Sequence, residues 1–130
     1  MKKLLVLLLI VAAAISCSKS EEKKESLDDR LVGTKWQTRD IACEVIYGGT
    51  CYEVFEFINT YQVEDYTIRG GSVISTSGTY VYELDYPHIT ISQKNADGGY
   101  VPVKYTFTDT RTMLKDGVSP STYYAKWIRQ

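Results

Sequence analysis

From Trp36 onward, apolar and polar positions alternate in short runs divided by glycine, proline, asparagine and aspartate. That is the period-two pattern of half-buried β-strands with tight connections. "GTKWQTRDIA" reads as a first strand, followed by a connection around "CEVIYGGTC". "YEVFEFI" is a second strand, "YQVEDYTIR" a third and "SVISTSGTYVYEL" a long fourth. "HITISQK" is a fifth, "YVPVKYTFT" a sixth, "TMLK" a short seventh and "STYYAKWIRQ" an eighth. Asn59-Thr60, Gly70-Gly71, "DYP", "NADGG", "DTR" and "DGVSP" punctuate them. No helical period and no internal repeat interrupts the series.

The alternation assigns faces. Phe55 and Phe57 lie opposite Glu56, and Ile89 and Ile91 lie opposite His88, Thr90 and Ser92. Val101, Val103, Tyr105 and Phe107 form one stripe, and Tyr80 and Tyr82 share a face. One wet and one buried face belongs to antiparallel sheets. The fold class expected is all-β, an eight-stranded up-and-down antiparallel barrel, whose closure removes both exposed edges. A two-sheet sandwich satisfies the same alternation. Pro102 has no amide hydrogen and predicts a bulge or a gap in pairing near the start of the sixth strand. Gly78 marks a bend in the fourth.

The first 30 residues follow another pattern. Lys2 and Lys3 precede an unbroken apolar run, Leu4 to Ile15. As a helix it spans about 18 Å, too short for a bilayer and the length of a secretory signal core. Ala12-Ala13-Ala14 fits ordinary signal cleavage, whereas Ala14-Ile15-Ser16-Cys17 resembles a bacterial lipobox. The chain has three cysteines, and an odd number is awkward in an exported protein. Acylation of Cys17 leaves Cys43 and Cys51 as a pair, so the lipobox is preferred. Residues 1–16 are then a lipoprotein signal peptide. Residues 17–30, "CSKSEEKKESLDDR", are a lipidated charged tether with almost nothing to bury. Two or more acyl chains suffice for stable membrane attachment. Ser18 after the cysteine, by similarity to other lipoproteins, implies outer-membrane localisation, on the periplasmic or cell-surface face. The charged run also resembles the surface-export signal of some gut Gram-negative lipoproteins.

Residues 31–130 carry nine bases and 11 acids, with the bases scattered, which disfavours nucleic acid as a partner. All 11 tyrosines follow Arg30. No catalytic constellation, metal-ligand spacing or phosphate loop is present, so neither an enzyme nor a cofactor is expected. His88, the one histidine, falls on the wet face of the fifth strand. Glu64 and Asp65 are adjacent on a strand, so they point to opposite faces, and both read as exposed carboxylates, like Glu83 and Asp85. "NADGG" lacks the ligands of a calcium loop and reads as a turn. A tight Gly48-Gly49 hairpin would pair Cys43 with Val54 and leave the cysteines out of register. A disulfide needs a wider loop centred near Tyr47, and the oxidising compartment favours the disulfide.

A leader ending in cysteine, a polar spacer and "LVGTKW" opening eight strands resemble the small lipocalin-like lipoproteins of Gram-negative bacteria. "GTYVYE" and "YAKWIRQ" extend the resemblance across residues 31–130. It implies a barrel plug of Gly33, Trp36 and a covering base, Arg129, with Lys126 or Arg111 as alternatives. Lys35 makes the motif Gly-x-x-Trp, one residue longer than the lipocalin Gly-x-Trp. It also implies an internal site for a small apolar ligand, which Phe55, Phe57, Tyr80, Tyr82, Tyr105, Phe107 and Trp127 would line. The same aromatics can instead fill a small barrel solid. The function expected is a non-enzymatic, lipid-anchored binding protein. A protein-interaction or envelope-accessory module, or a protease-inhibitor-like barrel, is the alternative.

Overall fold

A computed structural model of the chain describes residues 30–130. Eight strands, β1 (Lys35–Arg39), β2 (Cys51–Phe57), β3 (Gln62–Arg69), β4 (Ser72–Asp85), β5 (His88–Lys94), β6 (Tyr100–Phe107), β7 (Thr112–Lys115) and β8 (Lys126–Arg129), follow in order. Each pairs antiparallel with its sequence neighbour, and β8 pairs back onto β1, closing the barrel. Closure rules out the two-sheet sandwich. Residues 30–31 and the turns β2–β3, β4–β5 and β6–β7 lie at one end. The β1–β2, β3–β4, β5–β6 and β7–β8 connections lie at the other.

The ladders run the inward faces together around the barrel. Trp36 opposes Phe55 and Arg129, Phe55 opposes Asp65, Val63 opposes Tyr80, and Tyr82 opposes Ile91. Ile89 opposes Tyr105, Phe107 opposes Met113, and Met113 opposes Trp127. Directly opposed residues share a face. The apolar stripes read from the sequence therefore converge on one core.

The main departure lies after β1. The first strand stops at Arg39; Ile41 and Ala42, expected to end it, join the start of the expected connection in a short helix, α1 (Ile41–Tyr47). Asp40 caps it, accepting from the Cys43 amide at 3.0 Å. Arg39 clamps Glu44 through Nε at 2.7 Å and Nη2 at 3.0 Å, and Glu44 also accepts from the Cys51 amide. Seven residues are too few to show a helical period, so tertiary contacts define this helix. Cys43 on α1 is bridged to Cys51 at the start of β2, and no tight hairpin forms. The eighth strand is also shorter than expected, because a turn at Thr122–Ala125 precedes it.

Pro102 causes no bulge: its register with Ser92 on β5 is continuous. On the other side, β6 pairs with β7 only from Tyr105, so the gap lies there. At Gly78, φ is +144° and the β3–β4 register slips between Asp65 and Tyr66. That is a β-bulge at the expected bend.

The bridge closes a loop with a sequence separation of eight, worth about 2.5 kcal/mol on chain-entropy grounds. Replacing both Cys43 and Cys51 by Ser should lower the urea midpoint accordingly and leave β-sheet circular dichroism intact. An unchanged midpoint would mean that the bridge does not constrain the unfolded chain.

Candidate functional site

The middle of the barrel is occupied by aromatic rings. Phe55 stacks on Trp127 with centroids 3.9 Å apart, and Tyr105 meets both edge-on. Phe57 meets Tyr82 at 5.0 Å and Trp36 meets Phe107 at 5.3 Å. Phe55, Phe57, Tyr80, Tyr82, Tyr105, Phe107 and Trp127 are all buried, none more than 7% exposed. The candidate ligand-binding residues thus come together by packing against one another.

Toward the α1 end, the inward face turns polar. Glu53 lies on the Phe55 face of β2, and Asp65 lies across the sheet from Phe55, so the two carboxyls are diagonal neighbours. Asp65 is 4% exposed, which corrects its reading as a surface carboxylate. Glu64 does face the other way, and the partner of Asp65 is Glu53 instead. Burial, and then the Glu53 charge, push the Asp65 carboxyl up to about 8. Glu53 is itself raised, mainly by burial, while its hydrogen bond with Asp65 and nearby Lys115 oppose that. Burial thus holds both carboxyls of the pair toward the protonated form. Asp65 Oδ1 has no partner among the described residues. Beside the pair, the Tyr105 hydroxyl donates to Gln93 Oε1 at 3.0 Å. Burial raises Tyr105, and the two carboxyls add to the effect.

The carboxyl pair holds a proton in a mostly aromatic core. Among the described residues, no group of three or more His, Cys, Asp and Glu is placed to hold a metal ion. The sequence did carry a signal for the pair: Asp65 shares the Val63 face, and Glu53 the Phe55 face.

The opposite end is built by the "LVGTKW" turn. Gly33 takes φ +79° and donates to Phe57 O, and Thr34 N–H returns to Leu31 O at 2.9 Å. The Thr34 hydroxyl donates to the same Leu31 oxygen and accepts the Trp36 indole N–H at 3.0 Å. The buried indole is thereby satisfied and fixed, with its ring in the core. Arg129 lies in register with Trp36 on the same face. Lys126 and Arg111, the other candidate covering bases, do not line the cavity there.

His88 is exposed on the outer face, its Nδ1 3.1 Å from Thr106 Oγ1. Thr106 donates its one hydroxyl hydrogen to Asp116 at 2.7 Å. His88 must therefore donate to Thr106, so it does not act as a base toward that hydroxyl. Cys17 lies outside the described residues.

Asp65 binds a proton more tightly folded than unfolded, so its stabilising contribution is full at acid pH and lost as pH rises toward 8. For one proton the slope is at most about 1.4 kcal/mol per pH unit. Asp65→Asn should match the parent near the unfolded carboxyl range and exceed it by about 1–3 kcal/mol in mildly alkaline buffer. Urea unfolding across pH checks this, and parallel stability curves for the two proteins would contradict a protonated Asp65.

No family model, curated protein or solved structure matches the chain.

Proposed function

We propose that this chain is a non-enzymatic envelope lipoprotein, acylated on Cys17, whose lipocalin-like barrel is packed solid and works through the surface at its α1 end. The observation that carries this reading is the stacked Phe55–Trp127–Tyr105 cluster across the barrel middle. A calyx for an apolar ligand needs that volume open. Here the residues that would line it fill it.

The exposed apolar side chains support the same reading. Val45, Ile46 and Tyr47 of α1 are 80%, 71% and 60% exposed. Val73 and Ile74 of β4, Tyr100 and Val101 of β6, and Tyr123 and Tyr124 before β8 are also exposed. All nine lie at or beside the α1 end, against five (Val32, Ile58, Tyr61, Val81 and Tyr86) toward the opposite end. Exposed apolar side chains gathered at one end mark a contact surface, and tyrosine is a common anchor in protein interfaces. Arg30 and Leu31 join the barrel at the opposite end, where they line the cavity beside Trp36. A lipid tether of about a dozen residues then presents the α1 end away from the bilayer. The disulfide and the Arg39–Glu44 clamp hold α1 in place for that role.

Two measurements test the two halves. Metabolic labelling with an alkyne fatty acid in a Gram-negative host should mark the full chain and lose the mark in Cys17→Ser. Retained label in that variant would overturn the anchor. A photo-crosslinker at Ile46, Ile74 or Tyr123 should give a discrete protein adduct in cells, lost on Tyr47→Asp. One at Ile58 or Val32 should give none. Equal adducts from both ends, or none from either, would overturn the docking surface.

A further inference from the structure

The barrel closes unevenly along its length. β4 runs for 14 residues, yet β5 pairs with it only from Tyr82 to Asp85. Carried on from Tyr82 opposite Ile91, that register would set Lys94, the last residue of β5, opposite Thr79. Ser72–Gly78 therefore runs past the end of β5, with β3 as its one strand neighbour among the described residues. No loop backbone bonds this stretch there. Ser72 to Ser77 are exposed without a break, so both faces of the strand are open as well as its edge.

An open strand edge accepts a further strand, and proteins blunt such edges with charge, proline or bulges. From Ser72 to Tyr82 there is no charged residue and no proline, whereas each of the other seven strands carries a charge. Val73 and Ile74 are 58% and 43% exposed. Bulges are present: Ile74 and Ser77 have no opposite residue on β3. They curl the edge, so it suits a strand with the same curl. A second copy of the chain, turned about an axis normal to the sheet, presents that curl toward the same side. Centred on Ser75, such an antiparallel pair sets Ile74 against Thr76 and Val73 against Ser77 of the copy. No like charges are opposed. The tether is a poor occupant, since eight of residues 18–29 are charged.

We infer that Ser72–Gly78 of β4 pairs edge to edge with the same stretch of a second copy, joining two barrels through one continuous sheet. This rests on the α1 end being a contact surface, of which Val73 and Ile74 are part, and names what covers its β4 side. One strand pair is a modest interface, so the dimer should dissociate on dilution.

Sedimentation velocity on the full chain, exported with Cys17→Ser to avoid detergent, should show that concentration-dependent dimer. Ser75 is exposed, so a charge there leaves the fold intact. Ser75→Lys and Ser75→Glu should each be monomeric, because the twofold opposes like charges. Mixed in equal amounts, the two variants should recover the dimer. A parent chain that stays monomeric at submillimolar concentration would overturn the inference, as would dimers in both variants or no recovery in the mixture. In cells, a photo-crosslinker at Ile74 should give an adduct of twice the chain mass. An adduct of another mass would overturn the second copy while leaving the α1 end a docking surface for a different protein. No adduct from either Ile74 or Ile46 would overturn both.

Discussion

Closure of the sheet depends on a short seam. β1 and β8 share two register pairs, Trp36 with Arg129 and Gln37 with Ile128, extended by the Gln130 amide bonding to Lys35 O. Ladder hydrogen bonds contribute little net stability each, so so short a seam does not hold a barrel shut alone. The rings do that: Trp127, next to the seam, stacks on Phe55 two strands away, and Trp36 on the seam meets Phe107 across the interior. Side chains from both sides of the gap share one packed core, and opening the seam would expose it to water. The filled interior is therefore first a condition of the fold.

That condition governs what each end can do. With the middle occupied by rings, polar chemistry is confined to the two rims. At one, a carboxyl pair sits where the core meets α1. At the other, an arginine sits where the core meets the first turn. The carboxyl pair survives because Asp65 gives up its charge, which costs far less than burying a second carboxylate. The arginine stays partly exposed. Burial is resolved by protonation at one rim and by a solvent-facing cavity at the other.

Most of the fold was legible from alternation, because a barrel interior obeys a period of two on every strand. The stripes Phe55–Phe57, Tyr80–Tyr82, Ile89–Ile91 and Tyr105–Phe107 point inward as read, and β5 and β7 have the boundaries expected. What escaped was set by contacts distant in sequence or too short to show a period. α1 depends on Arg39 and Cys51 reaching Glu44, contacts that no local pattern shows. Asp65 was read by residue type rather than by face. Its position on the Val63 stripe placed it inside, and a strict use of alternation would have found it. That Arg129 has no ion pair among the described residues is a property of the folded rim, which no local pattern encodes.

The first turn and the seam also share a mechanical fate. Leu31, Thr34 and Trp36 form one hydrogen-bonded unit, and Lys35 within it bonds the final residue, Gln130. Tension drawn through residue 30 reaches this unit first and pulls on β1, at the shortest pairing in the barrel. Borne by hydrogen bonds alone, such a pull would open the two-pair seam before any longer ladder. The Leu31 and Trp36 side chains, locked into the core, spread the pull over the aromatic interior instead of two pairs of hydrogen-bonded residues.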